Sequence, residues 1–178
     1  MTNIGIVITS TRPTRIGPKV ATWIAAQAPE GVEVEIIDLA EQGLPFLSEP
    51  GMPKDGNYEQ ATTIAWSEKV SSLDGLIFAT AEYNASFTAP LKNAIDHLFT
   101  EWEGKPVALV GYGWMGGSRA VEALKPVFGN VSAVVVDAPG LVFMDEISID
   151  GDLTVNDETT AALAATFAEL EAKVPATV

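Results

Sequence analysis

The chain has 178 residues, 47% of them hydrophobic, which is one domain's worth of sequence with enough apolar side chains for a substantial core. It carries 10 Lys+Arg against 24 Asp+Glu, a formal net charge of −14, and that balance repels nucleic acid and anionic membrane surfaces. The absence of cysteine excludes disulfides, thiolate nucleophiles and Cys-ligated metals, and the single histidine, His97, cannot build a multi-His metal site by itself.

Apolar runs alternate with helical patterns along the chain. Ile4–Ile8 reads as a buried strand, and Val20–Ala28 continues a helix that follows Gly17-Pro18. Val32–Leu39 is a second strand; Val34 and Ile36 alternate with Glu33 and Glu35, so one face or edge is wetted. Residues 41–58 are rich in glycine and proline and form a long loop. A helix over 59–72 leads to a third strand at Leu73–Thr80 and a helix over 88–101 with Pro90 in its first turn. Val107–Val110 is the fourth strand, Ser118–Phe128 a helix and Ser132–Val136 the fifth strand. Leu141–Ile149 adds a short strand or an extended arm, and Asp157–Lys173 is a final helix capped by Asn156 or Asp157. Such alternation predicts a parallel sheet covered on both faces, in the order 2-1-3-4-5, as one domain over residues 1–178. No apolar run is long enough to span a bilayer, and the N-terminus lacks a signal-peptide layout, so a cytoplasmic location is expected. The acidic excess reads either as ordinary solubility or as a surface for a basic partner.

Three loops carry candidate chemistry. The first, Thr9–Gly17, places four hydroxyls and two arginines, Arg12 and Arg15, between a strand and a helix N-terminus. Hydroxyls, free backbone N–H groups and guanidinium forks are phosphate donors, and the helix dipole favours an anion there. The plainer reading is a turn with capping hydroxyls. The second loop, from Ala81, sets an aromatic (Tyr83), an amide (Asn84) and a hydroxyl (Ser86) at the carboxyl end of a strand, where open α/β sheets bind ligands. That grouping suits a planar ring with polar edges. The third, Gly111–Arg119, contains Gly111-x-Gly113-x-x-Gly116, with Asp137 closing the next strand 21 residues past Gly116. It is either a loop approaching the ring, a plain turn or a dinucleotide fingerprint. The classical fingerprint belongs to the first strand of its fold, and three strand units precede this one. His97 reads as a surface or packing residue, and Glu82 as an orienter of loop backbone. Trp66, Trp102 and Trp114 are unassigned between interface and pocket walls.

Glu82-Tyr83-Asn84-x-Ser86, followed by Leu91-Lys92-Asn93-Ala94-Ile95-Asp96, resembles the flavin loop of the NADPH-dependent FMN reductase family. Ala81 stands where that family usually has Pro, and its usual Gly near Thr88-Ala89 is missing. The first loop resembles the family's Gly-Ser-x-Arg-x-x-Ser phosphate pattern: Ser10 and Arg12 match, Thr9 replaces Gly, and Arg15 falls where many members have Ser. The resemblance implies a flavodoxin-like three-layer sandwich on a five-stranded sheet, non-covalent FMN, and NADPH or NADH as co-substrate. Ser10, Arg12, Arg15 and the N–H groups of Ile16 and Gly17 would hold the phosphate. Ala81, Glu82, Tyr83, Asn84, Ser86, Tyr112 and Gly113 would surround the isoalloxazine. It further implies a homodimer or homotetramer that passes electrons to quinones, flavins or other small acceptors, with no side-chain nucleophile. Two alternatives stand beside it: a flavodoxin-type electron carrier, and an NAD(P)-dependent Rossmann dehydrogenase using the Gly111–Gly116 loop.

Overall fold

The computed structural model describes residues 1–174. Strands β1 (Thr2–Ile8), β2 (Val32–Asp38), β3 (Gly75–Ala81), β4 (Pro106–Gly113) and β5 (Val134–Val136) form a parallel sheet in the order β2-β1-β3-β4-β5. This is the expected doubly wound topology. The two central strands β3 and β4 are buried along their whole length, as uninterrupted apolar runs require. β2 is the edge; Glu33 and Ile36 face outward there, while Ile37 is buried.

Helices cover both faces. α1 (Gly17–Ala26) and α5 (Asp157–Lys173) close one core around Ile6, Ile8, Val20, Ile24, Val110 and Phe167. α2 (Ala61–Ser71), α3 (Ala89–Asp96) and α4 (Ser118–Asn130) close the other around Phe78, Leu91, Trp102 and Phe128. Phe78 and Phe128 pack with ring centroids 5.1 Å apart. The indole N–H groups of Trp66 and Trp102 donate to Ala94 O (2.9 Å) and Ile95 O (3.1 Å). Both tryptophans are therefore core residues, which removes them from the interface and pocket-wall assignments; truncating side chains of this size costs about 3–5 kcal/mol.

Two local expectations change and three open alternatives resolve. The helix expected over 88–101 ends at Asp96, and a separate 3-10 turn, Thr100–Trp102, carries Trp102 back under α3. β4 runs to Gly113 rather than Val110, because Gly111 and Tyr112 pair with Thr80 and Ala81. A sixth strand, β6 (Leu141–Val142), continues the lane of β5 and pairs with Tyr112 and Gly113. His97 is buried, not on the surface: only 1% is exposed, and Nδ1 lies 2.8 Å from Asn93 O. The α5 cap resolves to Asn156, whose side chain accepts from Thr159 N at 2.8 Å. No helix among the described residues is long and apolar enough to cross a membrane.

Candidate functional site

The carboxyl ends of β1, β3 and β4 open into one cavity of about 350 Å³. The first loop supplies Ser10, Arg12, Thr14, Arg15 and Ile16 to its wall; the second supplies Ala81, Glu82 and Tyr83; β4 and its exit supply Tyr112, Gly113 and Trp114. The fold thus brings three segments, far apart in the chain, to one crevice. The volume lies within the range of small-molecule sites.

One end of the cavity gathers unpartnered donors. The N-terminus of α1 has no side-chain cap, and the N–H groups of Ile16 and Gly17 meet no protein acceptor among the described residues. Ser10 is 1% exposed, and its Oγ lies 3.1 Å from the phenol oxygen of Tyr112. The Arg15 guanidinium pairs with Asp38, at the end of β2, over 2.5 Å, and a second nitrogen reaches Arg12 O; yet its Nε is buried without a partner. Arg12 is exposed and forms no ion pair among the described residues. An uncapped helix end, an orphaned guanidinium N–H and an unopposed arginine are the donor set that a phosphate monoester satisfies. Gly17 lies beneath the cavity rather than on its wall. A Cβ there would stand 2.7 Å from Ser10 Oγ and 2.8 Å from Ile8 Cγ2, so glycine lets α1 start directly against the loop.

The other end is flatter and more aromatic. Tyr83 and Ser86 exchange backbone hydrogen bonds of 2.8 and 3.0 Å around Asn84 and Ala85, both at positive φ (50° and 63°). This is a two-residue hairpin of the primed kind. It holds Tyr83 on the cavity wall but leaves Asn84 exposed at the tip, and neither Asn84 nor Ser86 lines the cavity. Opposite stand Trp114 and Phe143, packed edge-to-face at 5.5 Å, with Ile149 and Asp150 beyond. Phe143, Ile149 and Asp150 are wall residues that sequence reasoning missed, while Thr14 is one of the four hydroxyls of the first loop. The available signal was the apolar stretch at Leu141–Ile149, but only the β6–β4 pairing reveals that it returns to the site.

The glycines of the third loop serve the fold rather than a pyrophosphate. Gly111 lies inside β4, and a Cβ on Gly140 would stand 2.3 Å from Gly116 O, so these backbones touch. The anion position at the start of α4 is already taken by Glu82. Its carboxylate, 7% exposed, accepts from Arg119 N at 3.2 Å and Arg119 Nε at 2.9 Å. Glu82 thereby ties the second loop to the third, a stronger role than orienting its own loop. Gly111, Gly116 and the exposed Asp137 do border a separate cavity of about 380 Å³. However, Gly116 N and Ser118 N bond within the loop, to Gly113 O and Met115 O. Two of the N–H groups that a dinucleotide would use are thus engaged within the loop.

Residues 2–146 match the family model described as NADPH-dependent FMN reductase. An NAD(P)H-dependent FMN reductase of Schizosaccharomyces pombe is 39% identical over 128 residues, covering 70% of this chain and 64% of the relative. A 2-hydroxy-1,4-benzoquinone reductase of a Burkholderia species is 28% identical over 172 residues, covering 92% of this chain and 91% of the relative. Among solved structures, the flavoenzyme NAD(P)H:(acceptor) oxidoreductase FerB of Paracoccus denitrificans superposes with a TM-score of 0.72 at 22% identity, covering 98% of this chain and 96% of that one, a likeness of fold.

Proposed function

The chain belongs to the NADPH-dependent FMN reductase family, and from that premise we propose that it is an FMN-dependent NAD(P)H oxidoreductase. It passes electrons from reduced nicotinamide to quinones, flavins or other small acceptors. The observation that carries the reading is the single cavity with an uncapped helix end and orphaned donors at one end and aromatic walls at the other.

When bound, FMN supplies the redox chemistry, taking hydride from NAD(P)H and returning the electrons to an acceptor. The residues of this chain bind and orient. Ser10, Arg12, Arg15 and the N–H groups of Ile16 and Gly17 hold the phosphate. Ala81, Glu82, Tyr83 and Gly113 frame the ring. Asn84 and Ser86 act through the hairpin that presents Tyr83. Trp114, Phe143 and Ile149 line one side, and alignment rather than a side-chain acid or nucleophile accelerates transfer. The whole chain acts as a single FMN-binding domain, as a homodimer or homotetramer, in the cytoplasm.

With FMN bound, donor and acceptor would use the same open face of the site in turn. Steady-state oxidation of NADPH with a simple quinone should therefore give parallel double-reciprocal lines. Intersecting lines would contradict the shared face. No NADPH oxidation by FMN-loaded protein would make the chain a flavodoxin-type carrier.

A further inference from the structure

We propose that Tyr112 is a positioning residue for the phosphate end of the site, acting through Ser10 rather than by touching the flavin ring. The inference rests on the FMN reading above. Tyr112 sits on β4, in the core under α1, and its phenol oxygen is 3.1 Å from Ser10 Oγ. Gly17 completes the contact; a Cβ on it would stand 2.7 Å from Ser10 Oγ and 3.1 Å from the phenol oxygen. Three segments therefore fix one hydroxyl.

Hydrogen-bond counting gives the direction. Each hydroxyl has one proton and two lone pairs. The phenol is the stronger acid of the two and so the better donor. Burial pushes Tyr112 up to about 12, outweighing the Ser10 bond that lowers it, so the phenol keeps its proton throughout the physiological range. Its only hydrogen-bond partner among the described residues is Ser10. With Ser10 Oγ accepting from Tyr112, the Ser10 proton is left over. Ser10 is 1% exposed and donates to no protein acceptor among the described residues. A buried donor without an acceptor is costly, and Ser10 lines the same cavity as the unpartnered Arg15 Nε. Tyr112 thus commits the Ser10 O–H to an anionic ligand in that cavity. A hydroxyl free to rotate would spend part of its time donating elsewhere.

The test measures dissociation constants of FMN and riboflavin, by flavin fluorescence quenching, on protein freed of flavin. Tyr112→Phe keeps the ring and removes only the donor. It should weaken FMN by about five- to tenfold and riboflavin by less than about twofold. Ser10→Ala should reproduce that pattern from the other side of the bond, and Tyr112→Phe should add less than about twofold to Ser10→Ala, as coupled residues do. Equal losses for both flavins, full additivity of the two variants, or an unchanged FMN affinity would each overturn the inference. Wild-type protein that showed no preference for FMN over riboflavin would overturn the phosphate assignment itself. A wild-type preference retained in Tyr112→Phe would remove Tyr112 alone.

Discussion

Gly117→Ala should destabilise the protein by roughly 2–5 kcal/mol, the sum of a left-handed backbone and an overpacked site. Gly117 has φ 69°, and a Cβ there would lie 2.6 Å from Tyr112 N and 2.7 Å from Gly111 Cα. Both neighbours are backbone of β4, a buried central strand, so no side chain can move aside. The thermal midpoint should fall by roughly 10 °C for a chain of this size. Gly129→Ala is the control. It lies in α4 with nothing within 4 Å of the added methyl and no positive φ, and the same change there should stabilise by about 0.5–1 kcal/mol. Opposite signs in thermal unfolding identify the third loop's glycines as packing residues. A Gly117→Ala variant with a wild-type midpoint would remove that explanation and reopen the loop to a ligand.

Arg12→Ala should weaken FMN about tenfold while riboflavin, which lacks the phosphate, loses far less. A hydrogen bond to a charged group contributes about 1.5–3 kcal/mol, and solvent exposure places Arg12 at the lower end; 1.4 kcal/mol is about tenfold in affinity. Arg12 is the cleaner probe of the two arginines. Arg15 spends one edge of its guanidinium on Asp38, whose side chain is only 12% exposed. Removing Arg15 would strand that carboxylate beside the phosphate end and mix lost attraction with new repulsion. Titrating both flavins into both proteins separates the cases, and equal losses for FMN and riboflavin would take Arg12 out of the phosphate site.

What was legible in the sequence follows the range of the physics behind it. The parallel sheet came from the alternation of apolar runs and helical patterns, because β3 and β4 bury every residue and leave a continuous signal; its order came from the general doubly wound pattern. The first loop was legible as a candidate anion site because its residues are consecutive and open a helix. The Phe143–Asp150 wall was not, because β6 is only two residues long and its place beside β4 depends on pairing. Trp66 and Trp102 could not be told from Trp114 by composition. Two are fixed in the core by their indole hydrogen bonds, and the third is 67% exposed at the cavity rim. The Gly111-x-Gly113-x-x-Gly116 spacing matched a dinucleotide pattern, but Glu82 fills the helix-end position that the pattern reserves for a ligand. That carboxylate comes from a different loop, and no local motif records it.

The most direct measurement of the central claim is an anaerobic titration of FMN-loaded protein with NADPH, followed at the visible flavin absorbance band. Bleaching should be complete at about one equivalent of NADPH per bound FMN, with colour returning on addition of a quinone, since the bound cofactor would carry the chemistry in both directions. A flavin band that persists in excess NADPH and excess NADH would contradict it.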